Sequence, residues 1–79
     1  MNAGMIKVLY FGIAQEIAGS VTEEFAAKST DDLRRQILER YPRMKSVVFR
    51  LALNGSMLTS DTSLKEKDTI ALLPPFAGG

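Results

Sequence analysis

With 79 residues, 46% of them apolar, and a formal net charge of +1, the chain suits a single domain with a modest core. No basic run exceeds two residues, so there is no electrostatic footprint for nucleic acid, and no apolar run approaches the roughly 18 residues of a membrane span. Cys and His are both absent, which excludes thiolate nucleophiles, disulfides, Cys-held iron–sulfur clusters, typical zinc sites and a Ser-His-Asp triad, and leaves carboxylates, Lys, Tyr, hydroxyls and the chain ends for any chemistry.

Met1 to Met5 lacks the apolar region of a signal peptide and Gly4 lies too deep for myristoylation, so a cytoplasmic location is expected. Met5 to Phe11 is rich in β-formers and stops at Gly12, which predicts a strand. Ile6, Val8 and Tyr10 point one way, and Met5, Lys7, Leu9 and Phe11 the other. Ile13 to Ala18 predicts a short helical turn closed by Gly19. Ser20 to Ala27, with Val21 and Phe25 as its large apolar members, predicts the second strand of a hairpin. Thr30 to Tyr41 is the clearest helix: Ser29 or Thr30 caps it, Asp31 and Asp32 suit its positive end, and Leu33, Ile37 and Tyr41 recur at four-residue spacing beside Leu38. Pro42 stops it. Val47 to Asn54 predicts a strong strand, with Phe49, Leu51 and Leu53 facing the core and Val48, Arg50 and Ala52 facing away. Asn54-Gly55 is a strong hairpin signal, Ser56-Met57-Leu58 returns, and Thr69 to Leu73 is the last strand.

The order is β-β-α-β-β-β with one main helix. An α+β, β-grasp (ubiquitin-like) fold is expected: a mixed sheet of about five strands, one face covered by the helix, over residues 1–73. The uncovered face should be polar, yet Leu9, Phe11, Met57, Ala71 and Leu73 all fall on it. Such an apolar patch points to a protein partner.

Residues 74–79 read as an extended tail. Pro74-Pro75 has fixed φ angles and no donors, so the strand ends there in a stiff spacer. Phe76 is an apolar anchor, and Ala77-Gly78-Gly79 has almost no side chain. Six residues at roughly 3.1–3.5 Å each reach about 20 Å. Such a tip threads a channel that admits only backbone. Leu73 to Gly78 therefore read as partner-binding, and the payload as the Gly79 carboxylate.

The stretches MIKVLYFG and LNGSMLTSDTSLKEKDTIALLPPFAGG, ending in Gly78-Gly79, resemble the MoaD family of ubiquitin-like sulfur carriers, the small subunits of molybdopterin synthase, over essentially the whole chain. The Pro-Pro-x-x-Gly-Gly finish is the most specific part. The resemblance implies that an E1-like adenylyltransferase uses ATP to convert the Gly79 carboxylate to a glycyl adenylate, and that sulfur from a donor displaces AMP to leave a thiocarboxylate (1-thioglycine). The tail then enters the large, catalytic subunit of the synthase and gives sulfur to cyclic pyranopterin monophosphate. The resemblance further implies a heterotetramer of two small and two large subunits, with no bound cofactor or metal and no catalytic side chain in this chain. Where the family carries Gly before the Asp of a turn, this chain has Lys67, which predicts a differently shaped turn with unchanged function.

Other residues weigh less. Glu23-Glu24 and Asp31-Asp32 read as structural or solvated rather than catalytic. Tyr41 reads as a core residue at the helix end. Lys65 and Lys67 are expected near the root of the tail, where they would steer an acidic partner or lie in a solvated turn. Gln15 and Glu16 are weak candidates for the partner's rim. The alternatives are a ubiquitin-like modifier joined to lysines through Gly79, a sulfur carrier for thiamine or tRNA thiolation, and a plain β-grasp interaction domain.

Overall fold

In the computed structural model, which describes residues 4–74, the alternation of the first segment becomes strand β1, Met5–Tyr10, with Ile6, Val8 and Tyr10 fully buried. β2, Thr22–Ala26, pairs with it antiparallel and sets Phe25 opposite Ile6 and Glu23 opposite Val8. Between them lies helix α1, Ile13–Ala18, which closes on Gly19 as its sequence predicts.

Helix α2 spans Thr30–Arg40. Its first N–H groups are satisfied twice over. The Ser29 hydroxyl accepts the Asp32 N–H at 3.2 Å, while Asp61 Oδ1 accepts the Asp31 N–H at 2.8 Å and the Thr30 hydroxyl at 3.1 Å. A carboxylate there also suits the positive end of the helix. Leu33 and Ile37 are fully buried against the sheet.

Pro42 does end α2, but the chain does not pass directly into a strand. Pro42–Ser46 forms a 3-10 turn that drives Met44 into the core with no exposure. Proline at the first helical position is preset for such a turn. The strand expected from Val47 therefore begins only at Arg50: β3 is Arg50–Leu53 and Val48 is left exposed. The Asn54-Gly55 turn, with φ of 49° and 93°, leads into the short strand β4, Ser56–Met57. Both turn residues lie in the left-handed region that this kind of hairpin requires.

β5, Thr69–Leu73, completes a five-stranded sheet in the order β2-β1-β5-β3-β4. β5 runs parallel to β1 and antiparallel to β3. A central parallel pair joined through a crossover helix on one face is the β-grasp arrangement. Tyr10, Ile6, Val8, Leu33, Ile37, Met44, Ile70 and Leu72 fill the space between helix and sheet, each stabilising the fold by about 1.5–3 kcal/mol through burial.

The loop before β5 is tied down by a buried acid. Asp68 accepts the Lys65 N–H at 2.9 Å and the Asn54 side-chain amide at 3.1 Å. Asn54 in turn accepts the Thr69 N–H at 2.9 Å and donates its own N–H to the Thr69 carbonyl at 2.8 Å. These bonds hold the Asp68 carboxyl below its ordinary value, led by the Lys65 N–H. Beside it, Lys67 has a φ of 76°. The lysine takes up the left-handed conformation that glycine enters freely, at a steric cost. Lys67→Gly should therefore leave the structure intact and raise stability by up to about 1 kcal/mol, the strain relief being partly offset by a freer unfolded chain. Urea denaturation measures this, and a destabilised variant would overturn it.

Candidate functional site

β5 lies between β1 and β3, so the strand that leads to the tail leaves from the middle of the sheet. Leu73 and Pro74 are half-buried at that exit. Pro74 Cγ comes within 3.5 Å of where a Cβ on Gly12 would sit, and Gly12 has a φ of 59°. Only glycine adopts that angle without strain, so the backbone conformation of the turn after β1, which lies beside the root of the tail, calls for glycine. Pro75, Phe76, Ala77, Gly78 and Gly79 lie outside the described residues.

The apolar residues assigned to the uncovered face divide into two groups. Leu9, Ala71 and Met57 belong to one row across the strands: Thr22 pairs with Leu9, Leu9 with Ala71, Ala71 with Ala52 and Ala52 with Met57. Met57 is 48% exposed and Leu9 and Ala71 are half-buried. The sequence reading left Ala52 out of the patch. At 5% exposure it forms the floor between Ala71 and Met57, and its small size is why hydropathy alone passes it over. Leu73 sits further along β5, opposite Arg50, and Phe11, 42% exposed, follows the end of β1. These two lie at the end of the sheet from which the tail leaves. On the other side of the row the face turns polar, where Lys7 stands between Glu24 and Thr69.

Lys65 and Lys67 are not at the tail root. They precede β5, and the Lys67 N–H donates to the Met5 carbonyl at 3.1 Å. The length of β5 therefore separates them from Leu73, roughly 17 Å at about 3.3 Å per residue. Gln15 and Glu16 are exposed on α1, with no further contact that marks a rim.

Glu23 is the carboxylate with the richest surroundings. Its Oε1 accepts the hydroxyls of Tyr10 at 2.7 Å and Tyr41 at 2.8 Å, and Arg40 pairs with its other oxygen. The two tyrosine rings meet edge to face at 6.2 Å, and Tyr41, expected in the core at the helix end, is half-buried and packs against it. Burial pushes the Glu23 carboxyl up, but the bonds from Tyr10, Tyr41 and Arg40 together hold it below its ordinary value. Burial, and then the bond to Glu23, push the Tyr10 phenol well above its ordinary range. A carboxylate kept ionised and bonded on all sides transfers no proton at neutral pH. It links β1, β2 and α2, the structural role expected of it. Among the described residues no cluster of three or more Asp, Glu, His or Cys side chains can hold a metal ion, and no helix is long and apolar enough to cross a membrane.

The site thus consists of an apolar row and a tail root, with no catalytic constellation among the described residues. A molybdopterin synthase sulfur carrier subunit of Chlamydomonas reinhardtii is 36% identical over 81 aligned positions, covering 94% of this chain and 98% of that protein. The small archaeal modifier protein 1 of Methanosarcina acetivorans superimposes with a TM-score of 0.83 at 25% identity, over 96% of this chain and 97% of that one. A chain in the complex of subunits 1 and 2 of molybdopterin-converting factor from Helicobacter pylori superimposes with a TM-score of 0.72 at 33% identity, over 95% of this chain and 99% of that one. The ThiS family matches residues 8–79, a span that runs from within β1 through β5 to the closing Gly-Gly, and the chain belongs to that family.

Proposed function

We propose that this chain is the sulfur-carrier subunit of a molybdopterin synthase. The observation that carries the reading is the near full-length likeness to relatives named molybdopterin synthase sulfur carrier subunit. In this reading the Gly79 carboxylate attacks the α-phosphate of ATP on an E1-like partner, giving a glycyl adenylate and pyrophosphate. A sulfur donor then displaces AMP and leaves a thiocarboxylate. The tail carries that sulfur into the large subunit, whose own residues convert cyclic pyranopterin monophosphate. No acid or base of the described residues takes part, which agrees with Glu23 being fully bonded. The large subunit seats on the Leu9, Ala71 and Met57 row and on Phe11 and Leu73, two small subunits with two large ones, in the cytoplasm.

A charge at the middle of that row tests the seating. Ala71→Asp should weaken binding to a molybdopterin synthase large subunit on the order of a hundredfold, the cost of desolvating an unpaired charge in an interface, with circular dichroism unchanged. Calorimetry showing unchanged affinity would move the interface to another surface. A second reading is a ubiquitin-like modifier joined through Gly79 to lysines, favoured by the likeness to the archaeal modifier protein.

A further inference from the structure

A second surface combines an unpaired stretch of strand edge with a cleft. β4 ends at Met57, and the Leu58 N–H donates to the Leu51 carbonyl at 3.0 Å. Before Leu51 the edge of β3 is open: among the described residues no backbone hydrogen bond joins Val48, Phe49 or Arg50 to Thr59, Ser60 or Asp61. A cleft of about 260 Å³ lies between this edge and the start of α2, with Arg34, Phe49, Arg50, Leu58, Thr59 and Ser60 in its walls.

The cleft has a defined electrostatic character. The Arg34 guanidinium lies 4.9 Å from the centre of the Phe49 ring, a contact that leaves its outward N–H groups free. Neither Arg34 nor Arg50 forms a salt bridge among the described residues. Two acids also line the wall. Asp61 is committed to the helix start through the Asp31 N–H and the Thr30 hydroxyl, and Asp31 stands at that same end. At the Phe49 end the helix face carries Arg34, and Arg50, paired with Leu73, stands on the outer face of the same edge. Val48, 69% exposed, extends the strip with an apolar side chain.

We infer that this cleft accepts an extended acidic segment of a partner protein, which adds along the open edge at Phe49 and sets one carboxylate against Arg34 on the helix face and a neighbouring one against Arg50 on the outer face. An added strand takes main-chain hydrogen bonds from the edge and presents alternate side chains to the two faces. Guanidinium groups match a carboxylate in a planar, two-pronged fashion. The inference is independent of the tail's chemistry, since no residue of 74–79 takes part.

The test uses the whole chain and a fluorescein-labelled peptide of Val-Val-Glu-Glu repeats, whose adjacent glutamates face both sides of an added strand, with a Val-Val-Lys-Lys peptide as control. The acidic peptide should shift the backbone amides of Phe49, Arg50, Thr59 and Ser60 in two-dimensional NMR, and bind less tightly as salt rises. Arg34→Gln and Arg50→Gln should each weaken it about fivefold, as for a partly exposed ion pair. Arg43→Gln, on the 3-10 turn, should not. Arg50 is exposed, so its variant serves if the Arg34 change disturbs packing on Phe49. Equal binding of the lysine peptide, shifts confined to Leu9, Ala71 and Met57, or no binding at all would each overturn the inference.

Discussion

A chain extended by one residue beyond Gly79 should acquire no sulfur at all from its activating enzyme and donor, while its circular dichroism and thermal unfolding match those of the parent. Everything in the proposed route converges on one carboxylate. Adenylation needs a free main-chain carboxyl at the tip, and an added residue turns that carboxyl into an amide, which cannot attack ATP. The new terminal carboxyl then sits one residue, about 3.5 Å, further along, carries a side chain where the channel admits only backbone, and misses the reacting phosphorus. A misplacement of that size costs at least about a hundredfold in rate, so the measured loading should fall to background. The described strand pairings end at Leu73, so the fold should not respond. Normal loading of the extended chain would remove Gly79 from the mechanism.

Glu23→Ala should be the most damaging single change among the described polar residues. Tyr10 has no exposure, so deleting the carboxylate strands its hydroxyl in the core. Tyr41 and Arg40 lose the same partner. An unsatisfied buried hydroxyl with the loss of charge-assisted bonds costs about 2–3 kcal/mol, which lowers the unfolding midpoint by about 10–20 °C in a domain of this size. Glu23→Gln keeps an acceptor for the tyrosines and should recover part of the loss. The effect depends on pH in a definite sense. The folded carboxyl lies below its ordinary value of 4.5, so the stabilisation is fully present above that value and disappears as pH falls through the folded one. The gap between parent and Glu23→Ala should therefore be widest near neutrality and close in acid. A variant within about 0.5 kcal/mol of the parent at pH 7 would show that the cluster contributes little.

Strands and helix were legible wherever burial follows a simple period. Ile6, Val8 and Tyr10 alternate, Leu33 and Ile37 repeat every fourth residue, and all five are fully buried. The misses come from contacts that no local period records. Met44 reaches the core through a 3-10 turn, and nothing in Pro42 to Ser46 alternates or repeats. Glu23 shares a face with Phe25 by the strand period, a signal that points it inward, but its partners Tyr10 and Tyr41 are 13 and 18 positions away. Lys65 and Lys67 were misplaced because closeness in sequence to Leu73 is not closeness in space once a strand lies between. The outer row was legible in its large members, Leu9 and Met57, and not in Ala52, whose role depends on its neighbours across β3 and β4. For the tail, composition alone predicts a stiff, anchored, bare-tipped arm, and Pro75 to Gly79 lie outside the described residues.

The most direct test of the central claim is the intact mass of the protein from cells making the cofactor, taken before and after mild treatment with iodoacetamide. Thiocarboxylation exchanges one oxygen for one sulfur, whereas oxidation of any of the four Met residues adds one oxygen, so mass alone is ambiguous. With no Cys in the chain, a terminal thiocarboxylate is the one sulfur that alkylates readily under these conditions. The account predicts a single carbamidomethyl adduct on the C-terminal peptide. An unalkylated chain from such cells, with Gly79 joined to lysines of other proteins, would contradict it and establish the modifier reading in its place.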